Sequence, residues 1–135
     1  MKALLTALVA AFVVAAGAAA SNPAATVTIR HQMRGCHAWS VNGNAFKAAH
    51  AAALHRGQAI LFSNFDVMPQ QLVQKSGPAK IRLPFAGMMN RAHTSIAALF
   101  PKAGAYTFTT KAGEDYMPMK TIGADNVLRL TVTVS

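Results

Sequence analysis

Only one thiol occurs in the 135 residues, Cys36, and a histidine follows it directly in the run Gly35, Cys36, His37, Ala38, Trp39. A thiolate beside an imidazole offers two donors that soft transition metals accept, provided the backbone bends so that both meet one ion. The same cysteine read as structure is a small buried hydrophobe with an inert S–H. Being single, it excludes an intramolecular disulfide and leaves stability to packing. Other chemistry-bearing groups are sparse. Asp66, Glu114 and Asp115 sit in turn-rich contexts where carboxylates cap backbone N–H groups, and their spacing does not make an acid–base pair. His31 reads as a satisfied inward histidine, and His50, His55 and His93 stand alone. Trp39 reads as core packing, and Met88 and Met89 read as gap fillers. No nucleophile elbow, carboxylate dyad or phosphate loop occurs, so an enzyme is not expected.

The elements that must position these groups are strands. At the C-terminus Leu128, Leu130, Val132 and Val134 alternate with Arg129, Thr131 and Thr133, giving one apolar and one wet face. Residues 105–110 form a second strand with Tyr106 and Phe108 on one side, and residues 94–100 read as its hairpin partner across the turn at Pro101 to Gly104. Further strands are expected over 26–33, 48–55 and 58–64. Pro78, Pro84 and Gly87 break the middle of the chain, with some helical turn between residues 85 and 92. Several short strands separated by turns, with no heptads and no repeats, point to an all-β sandwich.

The ends and the charge narrow the setting. Met1 and Lys2 precede an uncharged, alanine-rich run that closes Ala18, Ala19, Ala20, so residues 1–20 read as a cleaved secretory signal peptide and residues 21–135 as a single domain. An uncleaved membrane anchor is the alternative reading of that run. Export places the protein in a periplasmic or extracellular compartment. The chain carries 13 Lys and Arg against 4 acidic residues, a formal charge of +9. Such a surface favours anionic partners. Nucleic acid is not expected, because export argues against it and no basic helix or base-stacking motif is present. An acidic partner protein or an anionic envelope surface fits better.

Two segments carry a family resemblance. Gln58 to Val73 (QAILFSNFDVMPQQLV) and Pro101 to Met119 (PKAGAYTFTTKAGEDYMPM), followed by the terminal apolar strand, resemble the ligand-bearing stretches of the cupredoxins. The resemblance implies a Greek-key β-sandwich of the cupredoxin type and a copper ion held by two histidines, a cysteine and a methionine. This sequence departs from that set. Gln70 follows Pro69 where the family has a histidine, Thr110 follows the Tyr106 and Phe108 strand where it has the cysteine, and the loop from Lys111 to Lys120 has no histidine. Met117, with Met119 nearby, retains a family-like ligand position. An ordinary blue-copper site is therefore not expected.

A relocated site is. If strands 26–33, 48–55 and 58–64 alternate in direction, Cys36 and His37 emerge at the same end as Asp66 to Gln71. Copper is then expected on Cys36, His37 and Met117, with Gln70 or a water at the fourth position. Thiolate, imidazole and thioether together suit Cu(I) better than Mg or Ca. The resulting expectation is an exported copper-handling or electron-transfer protein with a non-blue site. The alternative is a metal-free interaction module of the same shape.

Overall fold

The computed structural model describes residues 22–31, 37–112 and 127–135. The expected signal peptide at residues 1–20 lies outside these. The alternation read at the C-terminus is realised, with Leu128, Leu130, Val132 and Val134 all buried. The strands are β1 (Ala25–His31), β2 (His37–Val41), β3 (Ala49–Leu54), β4 (Ala59–Asn64), β5 (Gln70–Ser76), β6 (Met88–Met89), β7 (Thr94–Leu99), β8 (Gly104–Ala112) and β9 (Arg129–Val134).

They form two mixed sheets, in the orders β2-β1-β4-β7 and β3-β9-β8-β5-β6. β1 runs parallel to β4 and β3 parallel to β9, while the remaining pairs are antiparallel. The expected all-β Greek-key sandwich is therefore the fold observed. Its core is the apolar space between the sheets, where Phe100 packs edge-on against Tyr106 and Phe108 at centroid distances of 5.1 and 5.9 Å. The polar atoms of its Trp and Tyr side chains are matched. Trp39 is fully buried and donates its indole N–H to Ala48 O at 3.0 Å, and the Tyr106 hydroxyl donates to Lys102 O at 2.7 Å.

Three expectations need correction. Residues 94–100 and 105–110 do not make a hairpin: β7 pairs with β4 and β8 pairs with β5 and β9, so the turn at Pro101 carries the chain from one sheet to the other. The apolar residues of the two strands face each other across the core instead of lying side by side, and burying both faces outweighs local pairing. His37 does not lie in a loop, because it opens β2. All five residues of that strand are buried, and Lys47 bridges Trp39 along its outer edge. The turn expected between 85 and 92 is a single turn, Pro84–Gly87, in which Phe85 and Ala86 both have positive φ.

Candidate metal centre

The register of β1 and β2 sets His31 directly opposite His37, as Ile29 is opposite Trp39 and Val27 opposite Val41. Val27, Ile29, Trp39 and Val41 are all buried in the core. By alternation both histidines continue that inward-facing row at the end of the sheet. Their rings meet edge to face, with centroids 5.9 Å apart. β4 lies on the other side of β1 and ends at the same level, with Asn64 beside Ile29.

Asn64 organises the turn that follows it. Its Nδ2 donates to Met68 O and Met89 O at 2.9 and 3.0 Å, and its Oδ1 accepts from Asp66 N at 2.8 Å. This closed turn folds Asp66 inward, and the Asp66 side chain is fully buried. Pro69 then directs the chain into β5, whose first residue, Gln70, is also fully buried. Four polar side chains from β1, β2, the turn after β4 and the start of β5 thus converge at one end of the apolar sandwich.

The Asp66 carboxylate is the centre of this group. Oδ1 accepts from Met68 N at 3.1 Å, and Oδ2 lies 2.6 Å from His37 Nδ1 and 3.1 Å from Gln70 Nε2. A carboxylate only accepts, so the shortest of these contacts places a proton on His37 Nδ1. The 3.3 Å approach of Gln70 Nε2 to His37 Nδ1 is then a contact between two donors that share one oxygen, not a hydrogen bond. Gln70 Oε1 is buried and has no hydrogen-bond partner among the described residues. His31 is different in kind. Its side chain is 50% exposed, and its Nδ1 stands 3.9 Å from Asp66 Oδ1.

Of the residues expected to form a site, His37 and Gln70 are brought together, while Cys36 and Met117 lie outside the described residues. Thr110, at the family's thiolate position, is opposite Leu72 on the neighbouring strand. Asp66 was expected only to cap a turn. It does accept Met68 N, but its second oxygen holds His37. His31 lies on the inward row as expected, yet at the strand's last position, where the sandwich opens to solvent. Strand direction put His37 at this end, and the missing signal for His31 was the register that sets it opposite His37.

One ligand atom from each of His31, His37 and Asp66 lies within 4.8 Å of the others. Two imidazoles and a carboxylate are a donor set for divalent copper or zinc. They include no thiolate, unlike the ligand set that the resemblance implies. They do fit copper held by nitrogen and oxygen.

Among solved structures the chain is similar to a purple cupredoxin from Nitrosopumilus maritimus, at 16% identity over 82% of this chain and 98% of that one, with a TM-score of 0.47. It is also similar to amicyanin from Paracoccus versutus (Thiobacillus versutus), at 18% identity over 86% and 87% of the two chains, with a TM-score of 0.46. No protein-family model and no curated protein matches the sequence. The fold assignment stands on this chain's own strand order.

Proposed function

We propose that the chain is an exported cupredoxin-like protein that holds copper at the end of the sandwich where His37 and Gln70 meet, and that it handles copper or transfers electrons without being an enzyme. The observation that carries this reading is the buried, mutually bonded polar cluster of His37, Asp66 and Gln70. Burying a carboxylate, an imidazole and an amide is costly unless they are paired. Here they are paired to one another, with a single acceptor left over.

Copper would be held by His37 with its sequence neighbour Cys36, by Met117 and by Gln70, and it supplies one-electron chemistry when bound. The chain's own part is to orient. Asp66 fixes the ring of His37 through Nδ1, which directs any ligation by that residue to Nε2. Residues 1–20 would direct export and be removed. The partner would be an acidic redox protein or an anionic envelope surface. Among the described residues ten Lys and Arg have no ion-pair partner, and the one acidic residue, Asp66, is buried.

The test is competitive titration of Cu(I) against a chelator, with thermal melts to confirm folding. Cys36→Ser and His37→Ala should each weaken binding at least about tenfold, Met117→Leu less, and Met88→Leu with Met89→Leu not at all. A strongly blue copper form whose colour is unchanged in Cys36→Ser would show that the metal is held elsewhere. Equal affinity in wild type and Cys36→Ser would refute the site and favour the metal-free interaction module.

A further inference from the structure

The unused valence of the cluster lies on its solvent side. An ionised carboxylate offers about four lone-pair sites. Met68 N, His37 Nδ1 and Gln70 Nε2 occupy three of those on Asp66, two of them on Oδ2. The fourth is on Oδ1, the oxygen nearest His31 Nδ1. At 3.9 Å that pair is too far apart for a hydrogen bond. It is the right separation for one ion between them. Bonds of about 2.0–2.2 Å from zinc or copper to nitrogen and oxygen span up to roughly 4.2 Å when opposed and less when bent.

A second observation points the same way. Gln70 Oε1 is buried without a partner among the described residues, and an unmatched buried acceptor costs about 1–3 kcal/mol. Its own Nε2 contacts both Asp66 Oδ2 and His37 Nδ1, so the orphan oxygen belongs to the same group of atoms. A cation, or a water on a cation, would satisfy it. The half-exposed ring of His31 gives the ion a way in from solvent.

We propose that His31 Nδ1 and Asp66 Oδ1 form a divalent-cation site of their own, selective for Cu(II) and Zn(II). Gln70 Oε1 supplies a further oxygen acceptor, directly or through water. Imidazole and carboxylate suit these ions. Mg and Ca call for six or more oxygens, and Cu(I) prefers the sulfur donors that the described cluster lacks. Cu(II) binds more tightly than Zn(II), following the usual order for nitrogen and oxygen donors. In this site His37 is a positioning residue, because its Nδ1 holds the carboxylate in place. The site shares its end of the sandwich with the copper position proposed above but depends on neither Cys36 nor Met117.

That independence defines the experiment. The Cys36→Ser, Met117→Leu double variant of the exported protein removes both soft donors and is titrated calorimetrically with Zn(II) and, separately, with Cu(II). One equivalent of each ion should bind. Adding His31→Ala or Asp66→Asn should weaken both at least about tenfold, whereas His93→Ala should change nothing. The Cu(II) electron paramagnetic resonance spectrum should show imidazole nitrogen coupling that His31→Ala removes. Failure of the double variant to bind either ion, or binding indifferent to His31→Ala, would overturn the proposal. Neither result bears on the Cu(I) site, whose own test is the loss of Cu(I) affinity in Cys36→Ser.

Discussion

Replacing Asp66 by alanine or by asparagine separates the charge of the buried carboxylate from its geometry. In Asp66→Ala three donors lose their acceptor at once: Met68 N, His37 Nδ1 and Gln70 Nε2. An unsatisfied buried donor costs about 1–3 kcal/mol, and removing one member of a buried charged group costs about 3–5 kcal/mol, so the expected loss of stability is about 3–5 kcal/mol. Asp66→Asn has an escape. Its oxygen can keep Met68 N while its amide turns toward His37 and Gln70. His37 then accepts on Nδ1 as the other tautomer, and Gln70 flips to present Oε1, the acceptor that lacks a partner in the wild type. One donor, Gln70 Nε2, is left over in place of one acceptor, and the expected cost is only about 1–2 kcal/mol. Urea denaturation of the three proteins gives the two differences, and imidazole 15N shifts report the tautomer of His37. Near-equal losses for the two variants, or an unchanged His37 tautomer in Asp66→Asn, would refute this account of the cluster.

Two further outcomes are expected from denaturation curves. Gly87→Ala should cost about 2–5 kcal/mol, because the new Cβ would stand 2.2 Å from Leu72 O at a φ of +82°, whereas Gly43→Ala, with nothing within 4 Å of its Cβ, should cost only about 1–2 kcal/mol for its positive φ. Gln70→Leu should stay within about 1 kcal/mol of wild type, since it removes an orphan acceptor together with one of the three donors on Asp66; a loss above about 3 kcal/mol would show that the Gln70 amide carries the cluster.

The sequence by itself determined which residues face inward along most strands. Alternation at 128–134, 105–110 and 26–31 is a local property, because successive side chains point to opposite faces whatever the partner strand is. It also placed His37 at the same end as the Asp66 to Gln71 segment. β1 and β4 do run parallel, as that required. Alternation does not say which strands are neighbours, and there the tertiary structure decided. Residues 94–100 and 105–110 read as a hairpin, yet their alternation is the same in two layers, and the pairing of β7 with β4 and of β8 with β5 and β9 is set by packing across the core, as of Phe100 against Tyr106 and Phe108. β2 was illegible for a related reason: Lys47 covers its edge and all five residues are buried, so His37 to Val41 shows no wet face to mark a strand. The cluster depended on both. A histidine ending one strand, a histidine opening the next and an aspartate after a third are unrelated in sequence, and they meet because hydrogen-bond register between strands sets residues opposite one another.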